Sequence, residues 1–486
     1  MRYRYPLPLP LLCAILLPPA TVHAQQTAPP VVIRTLDEAL KIAREKAPSL
    51  RQAKETYIKK QRTIDQILAV QKPQISSRAT YSRLLNGGSG FGGGGSAGGG
   101  SVQNPFPVLL QNAPPGSQPI ILPSATRAQT TPSTGAAATS GGFGSGVDLN
   151  QESASFSITQ GIDFAGILRL AKQIGDVELE IQTLELQRLT QEVSLTTRSS
   201  YYSLLRAESL VKVSAVAVAQ STEQLRVAEL QFKAGTVAQF EVLRAKTQRA
   251  NNQQTLISER NQVAISKSAF ANALGLDPAT SIELSAPTEM LERQPLPELE
   301  QKKLIAEALA KRPEAQQVEL ALNKARKNIK LTGRGLSPSL TAALSTSYNP
   351  NPAFIGDRST GSLALVLSVP LSDGGAAKAQ TESARSDERA AEIQKDQYVR
   401  GIQAEVQQAM IAVKDGHERA QTAWESVEQA REAYRIAGVR FREGVDTQLS
   451  VNDAQTSLTQ AETNIVNARY DYLTALARLA RALGKE

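Results

Sequence analysis

The chain has 486 residues, of which 54 are Lys or Arg and 46 are Asp or Glu, with two histidines, one cysteine and 5% aromatic residues. The basic residues are interleaved with Glu and Gln instead of clustering with aromatics, which excludes the electrostatic footprint of a nucleic-acid-binding protein. So small a stock of His and Cys leaves no material for His/Cys metal sites or cysteine nucleophiles, and the acids are spread along helix faces without a paired set in a loop, so neither an enzyme nor a cofactor site is expected.

Arg2 and Arg4 precede a leucine-rich stretch over 7–17, and Val22-His23-Ala24 carries small residues at the positions a signal peptidase reads. Residues 1–24 are therefore predicted to be a signal peptide cleaved before Gln25. Leu12 ahead of Cys13 does not suit a lipid-attachment site, and cleavage would leave a chain without cysteine and with His417 as its one histidine. No later run of 18 apolar residues follows, so no membrane-crossing helix is predicted.

The first repeat is predicted to begin in residues 25–85. Thr35-Leu-Asp-Glu38 reads as a capping box that opens a helix to about Lys46, and Pro48 opens a second helix to about Gln71. Beyond Pro73 the period changes to two, with Ile75, Ser77, Ala79 and Tyr81 on one side of a strand. Residues 86–152 are rich in Gly, Pro and Ser, and ten of the fifteen residues from Asn86 to Gly100 are glycine. Such a composition cannot bury enough apolar surface to fold alone, so a largely disordered loop is expected.

Residues 153–275 are expected to complete the first repeat. A strand carries Phe156, Ile158, Ile162 and Phe164; then no proline occurs from about Ala165 to Phe232, which predicts a helix on the order of 100 Å long. The chain reverses at Lys233-Ala-Gly235, and a shorter helix returns to Gly275. A linker over 276–311 holds Pro278, Pro287, Pro295 and Pro297.

Residues 312–486 follow the same course. After a helix, one strand carries Leu340, Ala342, Leu344, Thr346 and Tyr348, and a second carries Leu363, Leu365, Leu367, Val369 and Leu371. A long hairpin then reverses at Arg442-Glu-Gly444, and its returning helix has the heptad Leu458, Ala461, Ile465, Ala468, Tyr472, Ala475, Leu479, Ala482, where large residues alternate with Ala. A shift of 209 (441 − 232) lays Phe232-Lys-Ala-Gly235 on Phe441-Arg-Glu-Gly444, and a shift of 265 (338 − 73) lays Pro73 on Pro338. The chain is thus two copies of one architecture, the first with about 56 extra residues between these blocks.

Strands of about ten alternating residues suit an outer-membrane crossing, and they also suit a half-buried strand pair of a soluble domain. The long helices are poor in large apolar residues, which fits a hollow cylinder of paired helices, wet inside and out, better than one thick core. Four strands cannot close a barrel, and lipid does not tolerate open sheet edges, so the chain must oligomerise. The expected fold is mainly α with a small β part and two structural repeats per chain. Three copies would form a trimeric α-barrel of twelve helical columns and a 12-stranded transmembrane β-barrel, four strands per chain.

With these elements in order, the chain resembles the TolC-like outer-membrane efflux protein family, the outer membrane factors, over about residues 34–86 and 150–486. The resemblance is carried by Glu38-Ala-Leu and Glu307-Ala-Leu in two short helices, by Val369-Pro-Leu-Ser-Asp-Gly-Gly375, and by the two Phe-x-x-Gly turns. It implies a channel-tunnel in the outer membrane of a Gram-negative bacterium with a helical barrel in the periplasm, an equatorial belt that includes the linker over 276–311, and a loop over 86–152 facing the exterior. The implied partners are two further copies in a homotrimer, outer-membrane lipid, a periplasmic adaptor (membrane fusion) protein and an inner-membrane RND or ABC transporter. Together they would export small molecules or proteins in a tripartite efflux or type I secretion system; no cofactor, metal or nucleic acid is implied. Two alternatives stand beside it. A periplasmic adaptor would have one hairpin inside a split lipoyl-like domain, and a secreted coiled-coil structural protein would lack the paired amphipathic strands.

The resemblance also places function at the periplasmic turns. It implies adaptor contact by Phe232, Gly235, Gln239, Phe441, Gly444 and Gln448. The entrance constriction maps onto Glu241 in the first copy and onto Ser450 and Asp453 in the second, where Ser450 replaces an expected acid. Asp446 stands where a basic latch is common, and Arg244 and Asp453, at equivalent sites in the two hairpins, form a candidate substitute pair.

Overall fold

The computed structural model describes residues 31–33, 35–83, 150–163, 165–280, 282–284, 296–350, 357–443 and 445–485. The predicted signal peptide, nearly all of the predicted loop over 86–152, Phe164 and Gly444 lie outside the described residues.

A short strand, β1 (Val31–Ile33), leads into α1 (Leu36–Lys46) and α2 (Pro48–Ala69). The Thr35 hydroxyl accepts the Glu38 N–H at 3.3 Å, as half of the predicted capping box requires. Ala47 is extended at φ −55°, ψ 123°, because the ring of Pro48 keeps the preceding residue out of the helical region, so α1 and α2 meet at a corner. The second copy builds the same corner from α5 (Gln301–Lys311) and α6 (Pro313–Thr332), with Arg312 extended at φ −70°, ψ 128°.

Two helices of 67 residues run the length of the molecule, α3 (Ile167–Lys233) and α7 (Ala376–Arg442), each about 100 Å long. Carboxylates satisfy their free N-terminal amides: Asp163 accepts from Ile167 and Leu168 at 2.9 Å, and Asp373 accepts from Ala377 at 2.6 Å. Each is followed by a returning helix of 35 residues, α4 (Gln239–Ala273) and α8 (Gln448–Ala482). Near one end α3 packs against α2 and α6, and towards the other against α4 and α8; among the described residues α7 packs chiefly against α5, α6 and α8. Thus α3 has neighbours on both flanks and α7 on one.

The core is thin and sits at the level of the corners. One cluster joins Ala39, Ala43 and Leu50 to Tyr201, Leu204, Phe270 and Leu274, and includes Ile282 of β4 (Ile282–Leu284), which pairs in parallel with β1. The equivalent cluster of the second copy joins Leu304 and Ala308 to Val406, Val413 and Leu479. Every residue of the predicted heptad from Leu458 to Ala482 is buried.

The remaining strands, β2 (Gln74–Arg83), β3 (Asn150–Ile162), β5 (Ser339–Tyr348) and β6 (Ser359–Ser368), form one antiparallel sheet in the order β2-β3-β5-β6. Register sorts its chemistry into rows. Ile75, Ile158, Leu344 and Leu363 lie side by side across the four strands, and the next row is Ser76, Ser157, Ser345 and Ser362. Successive side chains of a strand point to opposite faces, so one face is apolar and the other is lined with hydroxyls. Ser76 and Ser157 Oγ are 2.8 Å apart, as are Ser345 and Ser362 Oγ. The apolar face is bare, with Leu363 81% and Leu365 69% exposed.

Two strand boundaries differ from the sequence reading. β3 begins at Asn150, three residues before the expected start at 153, because it pairs to the end of β2 through Arg83 and Asn150. β6 stops at Ser368, short of Val369 and Leu371, because Pro370 has no N–H for a ladder. Gly161 stands at the equivalent place in β3, which continues to Ile162.

Candidate functional site

The hairpin turns lie at the end of the molecule far from the sheet. At the first, Gly235 adopts φ 75°, which lets its N–H reach the Phe232 carbonyl at 2.9 Å and the Thr236 N–H reach Gln231 at 2.9 Å. This is the paired bond of a helix stop that favours glycine. The hairpin is closed by Leu225, Ala228, Val242 and Ala245. Outside that seam the first tip is apolar: Phe240 is 66% exposed, and Leu230, Phe232 and Leu243 are exposed beside it. No side chain caps α4, and Glu241 sits in its first turn, where the helix dipole favours an anion. Its Oε2 is shielded from solvent without a hydrogen-bond partner among the described residues.

The second turn uses polar chemistry instead. The Val445 N–H reaches Arg440 carbonyl at 3.0 Å, and Thr447 caps α8 through its hydroxyl, which accepts from the Ser450 N–H at 3.4 Å. Asp446 accepts the Thr447 N–H at 2.8 Å and lies 3.7 Å from Arg440 Nε. Hydrogen bonds from Ser450 and from the Thr447 backbone, with the Arg440 charge behind them, hold its carboxyl below the ordinary range.

Of the residues singled out in the sequence, Phe232, Gly235 and Gln239 are exposed at the first tip, while Glu241 and Arg244 are half-buried behind them. At the second, Phe441, Asp446 and Ser450 are half-buried, Gln448 is buried and Asp453 is exposed. The structure brings Asp446 together with Ser450 and Arg440. It does not join Arg244 to Asp453: no ion pair links them within the chain among the described residues, because α3 and α8 pack directly on each other and hold the two hairpins side by side.

The sequence reading missed an ion cluster at the corner of α5 and α6. Arg312, its side chain 4% exposed, reaches Glu314 at 3.1 Å and Glu405 at 2.6 Å; Arg481 reaches Glu405 at 2.5 Å, Glu314 at 3.1 Å and Glu192 at 3.5 Å. Burial alone would raise the Glu314 carboxyl, yet the hydrogen bond from Arg312 and the charges of both arginines hold it below its ordinary value. A smaller clasp lies nearer the sheet, where Glu178 of α3 holds Lys60 of α2 at 3.2 Å and Lys324 of α6 at 2.6 Å. Such contacts join residues up to 289 positions apart, and no local spacing announces them.

A sheet with a bare apolar face is thus joined to long helices whose surfaces are largely polar. No helix among the described residues is long and apolar enough to cross a membrane. A family model described as outer membrane efflux protein matches residues 304–485. The solvent efflux pump outer membrane protein SrpC of Pseudomonas putida is 27% identical over 334 residues, 66% of this chain and 68% of that one. The pyoverdine export outer membrane protein OpmQ of the same species is 25% identical over 338 residues, 68% and 70% of the two chains. In fold, the chain matches the outer-membrane channel OprN with a TM-score of 0.68 at 18% identity, over 93% of this chain and 90% of that one. Over residues 304–485 the chain thus matches the outer membrane efflux protein family model, and over nearly its whole described length its fold is that of an outer-membrane channel.

Proposed function

We propose that three copies of the chain close into a 12-stranded barrel and a helical tunnel that carries small molecules from the periplasm to the exterior. A periplasmic adaptor docks on the turn residues Phe232, Gly235, Gln239, Phe441, Gly444 and Gln448, of which the first three are exposed at the first tip, and an inner-membrane RND or ABC transporter supplies the energy. Glu241, Arg244, Asp446, Ser450 and Asp453 line or brace the entrance. One observation carries this reading: the sheet has an apolar face, a hydroxyl-lined face and two open edges, β2 and β6. Open edges are not tolerated in lipid, and the face alternation requires water on one side, which a closed ring supplies.

The domain plan follows the duplication. Residues 25–85 and 153–275 make the first repeat, 276–311 the equatorial linker and 312–486 the second repeat, with 86–152 as an exterior loop. SrpC and OpmQ are named for solvents and for pyoverdine, chemically unlike cargoes, which supports small molecules as a class and favours none. The test is twofold: the mass of the detergent-extracted protein by light scattering, and the susceptibility of a deletion strain to solvents and antibiotics with and without the gene restored. A trimer and a restored resistance are expected; a monomer, or unchanged susceptibility to every compound, would overturn the proposal.

A further inference from the structure

The two repeats give more than a likeness of halves. The long helices start 209 positions apart (376 − 167), and the strands β2 and β5 start 265 apart (339 − 74). The contact between repeats inside the chain is therefore a template for whatever covers the free flanks, since β3 against β5 is equivalent to β6 against a second β2, and α3 against α6 and α8 is equivalent to α7 against a second α2 and α4. We infer that the interface between copies repeats the internal one residue for residue, so that its register can be read from a single chain. This rests on the proposed trimer and adds to it a specific pairing.

Burial supports the template. Leu184 and Tyr202 of α3 are each 8% exposed, whereas their equivalents on α7, Ile393 (184 + 209) and Ile411 (202 + 209), are 60% and 56% exposed. The α3 residues are covered because α3 has neighbours on both flanks; apolar residues stand at the matching places of α7, left largely exposed among the described residues.

Charge supports it independently. Within the chain Lys324 Nζ meets Glu178 at 2.6 Å; the same offsets turn this pair into Lys59 (324 − 265) of one copy and Asp387 (178 + 209) of the next. Both signs survive, and neither residue has an ion-pair partner within the chain among the described residues. The Gln191 amide donates to the Gly484 carbonyl at 3.1 Å, and the equivalent places hold Arg400, again a donor, and the carbonyl of Gly275. Two ion pairs are not kept: Arg481 with Glu192 becomes Asn272 with Gly401, and Arg206 with Asp471 becomes Asp415 with Gln262, an amide able to donate to a carboxylate.

In the sheet, Phe156 opposite Thr346 and Ile158 opposite Leu344 become Leu365 opposite Tyr81 and Leu367 opposite Ala79 of the next copy. Leu365 and Tyr81 are 69% and 63% exposed in one chain, and both lie on the apolar face. Pairing in this register would continue the rows of the internal sheet around the ring, lipid side to lipid side and hydroxyl to hydroxyl, without the face reversal that a slip of one residue would cause.

The test uses the full-length protein with Cys13→Ser, so that introduced cysteines are the only ones. The pair Leu365→Cys with Tyr81→Cys is compared under mild oxidation with Leu363→Cys with Ala79→Cys, which the inferred register separates by four residues and hence beyond disulfide reach. Covalent trimers are expected from the first pair and not from the second. In parallel, Lys59→Asp and Asp387→Lys should each lower the temperature at which trimers dissociate in detergent, and their combination should restore it. Trimers linked only through the second pair, or through neither, or charge variants whose combination gives no rescue, would overturn the register while leaving the trimer in place. A parent protein that is monomeric in membranes would overturn both.

Discussion

Arg481 Nη1 lies 2.5 Å from Glu405 Oε1, joining α8 to α7 where Arg312, at the corner of α5 and α6, reaches the same carboxylate from the other side at 2.6 Å. The first repeat has Thr196, Asn272 and Ala47 at the equivalent positions, so it has no counterpart of Glu405, Arg481 and Arg312. Removing one partner of a buried pair leaves the other charge without compensation, and Arg312→Met is expected to cost about 3 kcal/mol. Denaturant unfolding of the isolated protein measures it. A cost near zero would mean that water or a rearranged Arg481 compensates Glu314.

The same cluster sets an acid limit. Glu314 is held below its ordinary value of 4.5 in the folded chain, so its contribution is fully present above that value and is lost as the pH falls through the lower folded value. Glu178, between Lys60 and Lys324, acts in the same direction. Melting temperature should therefore fall on acidification below about pH 4.5, and the double variant Glu178→Gln, Glu314→Gln should start lower and fall less steeply. Equal slopes would assign the acid sensitivity to other carboxylates.

Three glycines with nearly equal backbones make a graded series. Gly235, Gly484 and Gly275 have φ of 75°, 74° and 73°, so alanine at each meets the same left-handed penalty, roughly 1–2 kcal/mol. Their surroundings differ. A Cβ at Gly235 meets nothing within 4 Å, one at Gly484 comes within 3.0 Å of the Lys311 carbonyl, and one at Gly275 within 2.5 Å of the Lys46 carbonyl oxygen. Stability losses should rise in the order Gly235→Ala, Gly484→Ala, Gly275→Ala; any other order in thermal melts would show that the corners above the hairpins yield more easily than the turn.

Adjacent residues of β6 test the two faces of the sheet. Leu367 pairs with Leu340 on the apolar face and Val366 with Thr341 on the other. Leu367→Arg is expected to cost about 2 to 4 kcal/mol if it lies near the bilayer midplane and to deplete the membrane-inserted protein, whereas Val366→Arg, facing water, should be nearly neutral. Quantifying folded protein in outer-membrane fractions separates them. Equal yields would show that the faces are exchanged or that the sheet is not in lipid.

The order of elements was legible because each rests on local chemistry. Thr35 with Glu38 marks a helix start, Pro48 and Pro313 mark corners, and the absence of proline from about 165 to 232 marks a helix of 67 residues that nothing interrupts. Strand alternation was readable for the same reason, although the end of β6 at Pro370 and the early start of β3 depend on cross-strand partners. Contacts between distant helices were not legible: Glu314 precedes Glu405 by 91 positions and Arg481 by 167, and their meeting depends on how the corner of α5 and α6 is set against the long helices. At the tips, residue identity suggested Arg244 with Asp453, while the fold gave Asp446 a partner in Arg440 of its own hairpin.

Asp453 remains the most direct probe of the entrance. It is exposed one turn into α8, beyond the cap formed by Thr447 and Ser450, and among the described residues it has no ion-pair partner in the chain. If three copies ring the narrow end, Asp453→Arg replaces three negative charges by three positive ones. Lumenal rings of charge set ion selectivity through the local potential, and at physiological ionic strength a potential from exposed charge decays over about 8 Å, so only a narrow ring would register it. The reversal potential of the inserted variant under a salt gradient should shift toward anions, and the shift should grow as ionic strength is lowered. The tip fold itself should survive, because Asp453 supports neither the cap of α8 nor the Asp446 contact with Arg440. An unchanged reversal potential at every salt concentration, in a correctly inserted variant, would remove Asp453 from the pore and leave it a solvated charge on the outer wall of the tunnel.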